Sequence, residues 1–86
     1  MKYFQRLKDL RDDKDLVQKE VAHILKISQQ QYALYEQGIR EMPIHHYETL
    51  ARFYNITIEY MIGMTDEPHT LDGTPYKISK NINITK

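Results

Sequence analysis

Between positions 2 and 11 the apolar residues Tyr3, Phe4, Leu7 and Leu10 recur every three or four places, with Gln5, Lys8 and Asp9 between them. That spacing gathers one apolar stripe on one side of a 3.6-residue turn and predicts a first helix over 2–11. Asp12, Asp13, Lys14 and Asp15 have nothing to bury and predict a connection. Leu16, Val21, Ala22, Leu25 and Ile27 restart the helical spacing, which gives a second helix from about 17 to 25. Ser28 then caps a third helix, because its hydroxyl oxygen can accept from an amide two or three positions on. This helix ends near Gln37, where Gly38 supplies a left-handed cap. Tyr32 and Tyr35 take its core side, and Gln29, Gln30 and Gln31 are left at its exposed start.

Pro43 suits the first turn of a fourth helix, where its missing N–H does no harm. Ile44, Tyr47, Leu50, Ala51 and Tyr54 follow at helical spacing up to Asn55. Thr57 can cap a short fifth helix holding Ile58, Tyr60, Met61 and Ile62, closed by Gly63. The expected fold is therefore all-α, with five helices in a compact domain over 1–66. Beyond it, two prolines and a glycine in TDEPHTLDGTPY predict a turn-rich linker. The end, YKISKNINITK, alternates Tyr76, Ile78, Lys80, Ile82 and Ile84 at period two, as a strand would. A lone strand needs a partner edge, so 67–86 is expected to be a linker and tail carrying either a dimerisation strand or a frayed end.

At 86 residues the chain has core enough for one small domain. It has no cysteine, so packing alone must hold the fold, and a reducing compartment is no burden to it. No apolar run approaches the roughly 18 residues that span a bilayer, and the start lacks the pattern of a signal peptide. A cytoplasmic protein without a membrane partner is expected. Twelve basic and twelve acidic residues give zero net charge, which argues against a strongly basic nucleic-acid binder but leaves room for a local basic face. No phosphate loop, nucleophile motif or paired carboxylates occur in recognisable context, so the chain does not read as an enzyme. His45 and His46 are adjacent and point about 100° apart on a helix, and His23 and His69 lack nearby ligand partners. No metal, cofactor or small-molecule ligand is expected.

The stretch LVQKEVAHILKISQQQYALYEQG, residues 16–38, closely resembles the Cro and phage-repressor type of helix-turn-helix, the XRE or lambda-repressor-like family. IREMPIHHYETLARFYNITIEYMIGMTD continues the resemblance through the fourth and fifth helices of small regulators from Gram-positive bacteria and their mobile elements. It covers 1–66 and leaves the last twenty residues out. Ala22 is small where the second and third helices would cross, while Val21, Leu25, Ile27, Tyr32 and Tyr35 supply the seam between them. Lys26 departs from the glycine frequent at the turn, and Val17 from the usual capping serine or threonine.

The resemblance implies a DNA-binding regulator, a repressor by expectation, that reads a double-stranded operator with its third helix as a homodimer. It places Ser28, Gln29, Gln30 and Leu34 toward the major groove, with Gln31 beside them, and Gln18 on a phosphate. Glutamine needs no charge for this, since its carbonyl and amide can bond adenine N6 and N7 together. Lys19, Lys26 and Arg40 flank that helix and can grip phosphates. Arg11 and Glu36 match a buried structural ion pair of the family. Tyr60, Met61 and Ile62, with Ile78 and Ile82 of the tail, are the expected dimer interface. The alternative is a protein-interaction module of the same fold, such as an antitoxin or anti-repressor partner, which the zero net charge and a third helix without Lys or Arg favour.

Overall fold

In the computed structural model, which describes residues 3–77, Ser28 stands at the N-cap of a helix and its Oγ accepts from the amide of Gln31 at 3.1 Å. Thr57 does the same for the amide of Tyr60 at 3.3 Å. These caps satisfy amides that the first helical turn leaves without a partner. Five helices follow in order: α1 (Gln5–Asp13), α2 (Gln18–Leu25), α3 (Gln29–Glu36), α4 (Ile44–Tyr54) and α5 (Ile58–Met61). Val17 has no oxygen to offer at the start of α2; instead the Glu20 carboxylate turns back and accepts from the Val17 amide at 2.9 Å.

The break between α2 and α3 is made by Lys26, which adopts left-handed backbone angles (φ 61°, ψ 40°). A lysine there costs more than the glycine the turn would accept. Asn55 closes α4 in the same region (φ 56°), as its short polar side chain tolerates.

The core is built from Leu7 and Leu10 of α1, Val21, Ala22 and Leu25 of α2, Tyr32 and Tyr35 of α3, Tyr47, Leu50, Ala51 and Tyr54 of α4, and Tyr60 and Met61 of α5. Met42 and Ile56, from the connections on either side of α4, join it. Among the described residues the hydroxyls of Tyr54 and Tyr60 are buried without a hydrogen-bond partner, and the buried hydroxyl of Tyr32 lies beside Glu36. Burial pushes the Tyr32 and Tyr54 hydroxyls well above the usual tyrosine range, and the nearby Glu36 charge adds to this. Burial raises Tyr60 as well, to about 12, against the opposing charge of Arg6.

The structure departs from the sequence expectations in four places. First, α1 starts at Gln5 and continues to Asp13, because Tyr3 is partly exposed ahead of the helix while Asp13 is buried at its end. Second, Ile44 is 63% exposed and Met42 takes the core position. Third, Tyr60 and Met61 are fully buried in the chain's own core, so they have no surface left to offer a second copy, and only Ile62 of that trio keeps partial exposure. The fourth concerns the segment after Gly63, which turns back onto the helices. His69 O accepts from the Thr57 amide at 3.1 Å, Pro68 O from the Tyr76 amide at 3.0 Å, and Tyr76 packs against the core. The expected tail strand, with Ile78 and Ile82, lies outside the described residues. Among the described residues there is no named strand, only an isolated antiparallel bridge between His69 and Pro75, and no helix is long and apolar enough to cross a membrane.

Candidate nucleic-acid interface

The seam between α2 and α3 fixes where the start of α3 is presented. Val21, Ala22 and Leu25 on one side and Tyr32 and Tyr35 on the other are all buried. Ala22 has no side chain beyond Cβ, which lets the two helices approach closely. With Tyr32 and Tyr35 turned inward, the opposite face of the first turn of α3 carries Gln29 and Gln30, both exposed. Among the described residues no hydrogen bond holds either side chain, so each carboxamide is free to pair with a base edge. Gln31 is different: it is half-buried, and its Nε2 donates to the Tyr35 hydroxyl at 2.9 Å. That bond holds Gln31 against its own helix and divides the glutamine run into two free residues and one engaged.

Ser28 is exposed, but its Oγ is occupied by the cap. Leu34 is half-buried, and its carbonyl accepts from the amides of Ile39 at 3.0 Å and Arg40 at 3.3 Å. Those bonds bring the chain after Gly38 back across the end of α3 and fix the backbone that carries Arg40. Lys26 and Arg40, both exposed, therefore stand at opposite ends of α3, which as an eight-residue helix is about 12 Å long. Lys19 is exposed on the first turn of α2. The positive charge that α3 lacks is thus supplied on either side of it.

Arg11 and Glu36 form the expected pair. Arg11 Nε donates to Glu36 Oε2 at 2.7 Å and Nη2 donates to Oε1 at 3.2 Å, with 11% and 4% of the two side chains exposed. The hydrogen bond to Glu36 raises the Arg11 pKa still further, against the effect of burial. Gln18 joins this pair, its Nε2 donating to Glu36 Oε1 at 3.1 Å. Gln18 and Glu36 stand eighteen positions apart, and nothing local in the sequence signals their contact. Ile39, for which the sequence gives no signal, and Ile44, which its spacing assigns to the apolar stripe of α4, are 66% and 63% exposed on either side of Arg40. An apolar residue beside a helix or at its start would ordinarily be assigned to the core.

His46, buried near the start of α4, lies with its ring 4.2 Å from that of His45 and 6.1 Å from that of Tyr35. Burial lowers its pKa, and the charge of His45 lowers it further.

Residues 7–61 match the family described as Helix-turn-helix. Over 66 residues, 77% of this chain and 59% of the relative, the sequence is 33% identical to the uncharacterized HTH-type transcriptional regulator YobD of Bacillus subtilis (strain 168). Over 61 residues, 71% of this chain and 55% of the relative, it is 32% identical to the cryptic phage CTXphi transcriptional repressor RstR of Vibrio cholerae. The chain thus spans less than two thirds of the length of either curated relative. No solved structure matches it. The match takes in every helix from α2 to α5 and most of α1, including the α2 and α3 pair on which the site is built, and the chain belongs to the helix-turn-helix family of Cro and phage-repressor type.

Proposed function

We propose that the chain is a non-enzymatic, sequence-specific DNA-binding transcriptional regulator, acting in the cytoplasm as a repressor and laying α3 in the major groove of a double-stranded operator. The observation that carries this reading is the pair of exposed, unengaged carboxamides, Gln29 and Gln30, on the capped first turn of a helix whose two ends are flanked by Lys26 and Arg40. Glutamine can bond adenine bidentately, and the flanking cations supply the sequence-independent grip on phosphates. Ser28 and Leu34 join them toward the groove, with Gln31 beside them, and Gln18 and Lys19 approach the backbone from α2. The repressor role is supported by the likeness to a protein named as a phage repressor.

Residues 1–66 form the DNA-binding unit in this reading, and 67–86 serve as a buttress and a dimerisation tail. One short recognition helix reads few base pairs, so two copies bound to half-sites about 34 to 36 Å apart account for operator specificity. Ile62 and the tail residues Ile78 and Ile82 are the remaining candidates for the contact between copies. Selection of bound duplexes from a random pool tests the reading: a two-fold symmetric motif is expected, with binding that weakens steeply as salt rises. If the chain fails to shift any duplex at low salt, the DNA-binding reading is lost. The protein-interaction alternative, which zero net charge and an α3 without Lys or Arg favour, would then stand.

A further inference from the structure

Gln18 opens α2, and Glu36 closes α3. The Glu36 carboxylate is occupied on both oxygens: Oε2 accepts from Arg11 Nε at 2.7 Å, and Oε1 accepts from Arg11 Nη2 at 3.2 Å and from Gln18 Nε2 at 3.1 Å. Arg11 Nη1 also donates to the carbonyl of Leu16 at 2.9 Å, two residues before Gln18. One guanidinium therefore holds both the chain leading into α2 and the carboxylate that meets the first side chain of α2.

An ionised carboxylate only accepts hydrogen bonds. The nitrogen end of the Gln18 carboxamide must therefore face Glu36, because its carbonyl oxygen would be repelled there. The amide nitrogen carries two protons, of which Glu36 takes one. The second remains on a half-exposed side chain at the start of a helix. The geometry points to Glu36 as the positioning residue for a DNA-phosphate contact by Gln18: it fixes the carboxamide so that the second Nε2 proton is presented to a phosphate oxygen. This rests on the DNA-binding reading above.

The role of Arg11 follows from the same arrangement. A bare carboxylate one hydrogen bond away from a phosphate would repel it, and its pairing with Arg11 cancels that charge. The network also links the far end of the reading helix to the start of the gripping helix, so that a shift of α3 carries the phosphate contact with it.

A double-mutant cycle on the full chain tests this, using a labelled random-sequence duplex at low salt, where phosphate contacts dominate. Gln18→Ala is expected to weaken binding about fivefold, the worth of one hydrogen bond, without changing the salt slope, because no charge is removed. Glu36→Leu in an Arg11→Met background, which removes the acceptor together with the charge that it cancels, should weaken it by a similar factor, and adding Gln18→Ala to that background should cost little more. Losses that multiply overturn the positioning role, as does full affinity in Gln18→Ala. Absence of binding by the parent chain overturns the DNA-binding reading instead.

Should the Arg11 and Glu36 double variant fail to fold, the parent protein answers by NMR with the same duplex. One Nε2 proton of Gln18 is expected to be shifted downfield before DNA is added and to stay there, while the other moves on addition. Loss of the first shift on binding, or no movement of the second proton, overturns the proposal.

Discussion

The ring of Phe4 fills the space that a side chain at Gly38 would need. An ideal Cβ on Gly38 would lie 2.5 Å from Cζ and 2.7 Å from Cδ2 of that ring, and the backbone there has φ +76°. The contact joins the segment ahead of α1 to the turn that ends α3. Gly38→Ala is therefore expected to destabilise the fold by more than the roughly 1 to 2 kcal/mol that left-handed angles alone cost an alanine. In a Phe4→Ala background the ring is gone and only the backbone cost should remain. Urea unfolding followed by helical circular dichroism measures both, and equal costs in the two backgrounds would dismiss the steric account.

Two arginines of α1 are buried, and their partners differ. Arg11 meets a carboxylate that is itself buried. Arg6, with 3% of its side chain exposed, donates through Nη1 to Tyr60 O at 2.7 Å and Thr65 O at 2.5 Å, lies 4.1 Å from the Tyr60 ring centroid, and reaches an Asp66 that is 75% exposed. An exposed partner contributes little, since water competes for it. Asp66→Asn should cost less than about 1 kcal/mol. Arg6→Met, which leaves two backbone carbonyls without their donor, should cost on the order of 2 to 4 kcal/mol. Thermal or urea unfolding of the two variants gives the comparison, and a larger loss for Asp66→Asn would contradict it.

Much of this arrangement could be read from the chain. The five helices follow from apolar spacing and from local caps, because Ser28, Gly38, Asn55, Thr57 and Gly63 act over a few residues. Arg6 could not be read in this way. Its partners stand 54 to 60 positions away, and periodicity beside Leu7 says nothing about a charged neighbour's burial. In the sequence Pro68 and Pro75 mark a turn-rich linker. Turn chemistry does not reveal what a turn packs against, and Tyr76 is held by its backbone bond to Pro68 and by the core beneath it. At the site, the resemblance supplied Gln18 and Glu36 one by one, while their bond to each other needed the fold.

His46 gives a pH dependence of defined sign. Burial holds its folded pKa below the ordinary 6.5, with the neighbouring His45 charge adding to the shift. The unfolded chain thus binds a proton more readily than the folded one. The stabilisation from a neutral His46 is fully present above pH 6.5 and is lost as pH falls through that value toward the lower folded pKa. Unfolding free energy should therefore decline as pH falls below 6.5, and His46→Gln should flatten that decline. An unchanged slope in the variant would remove His46 as its source.

Lys26 carries two burdens that a single substitution separates. Its left-handed backbone (φ 61°, ψ 40°) costs a lysine energy that glycine would not lose, while its exposed ammonium stands just ahead of α3. Lys26→Gly should raise stability by roughly 0.5 to 1 kcal/mol, the strain relieved less the extra chain entropy glycine brings. If the ammonium grips a phosphate, the same variant should bind every duplex more weakly and flatten the dependence of log affinity on log salt by about one unit. Gln30→Ala should do the reverse. It leaves random-sequence binding and the salt slope nearly intact, but lowers discrimination at one or two base pairs by about 1 to 3 kcal/mol, because base contacts carry sequence information and phosphate contacts do not. Affinities of both variants across the selected operator and its single-base changes decide the matter. Should Gln30→Ala retain every preference of the parent while Lys26→Gly alters them, the division between a reading helix and its gripping flanks is reversed.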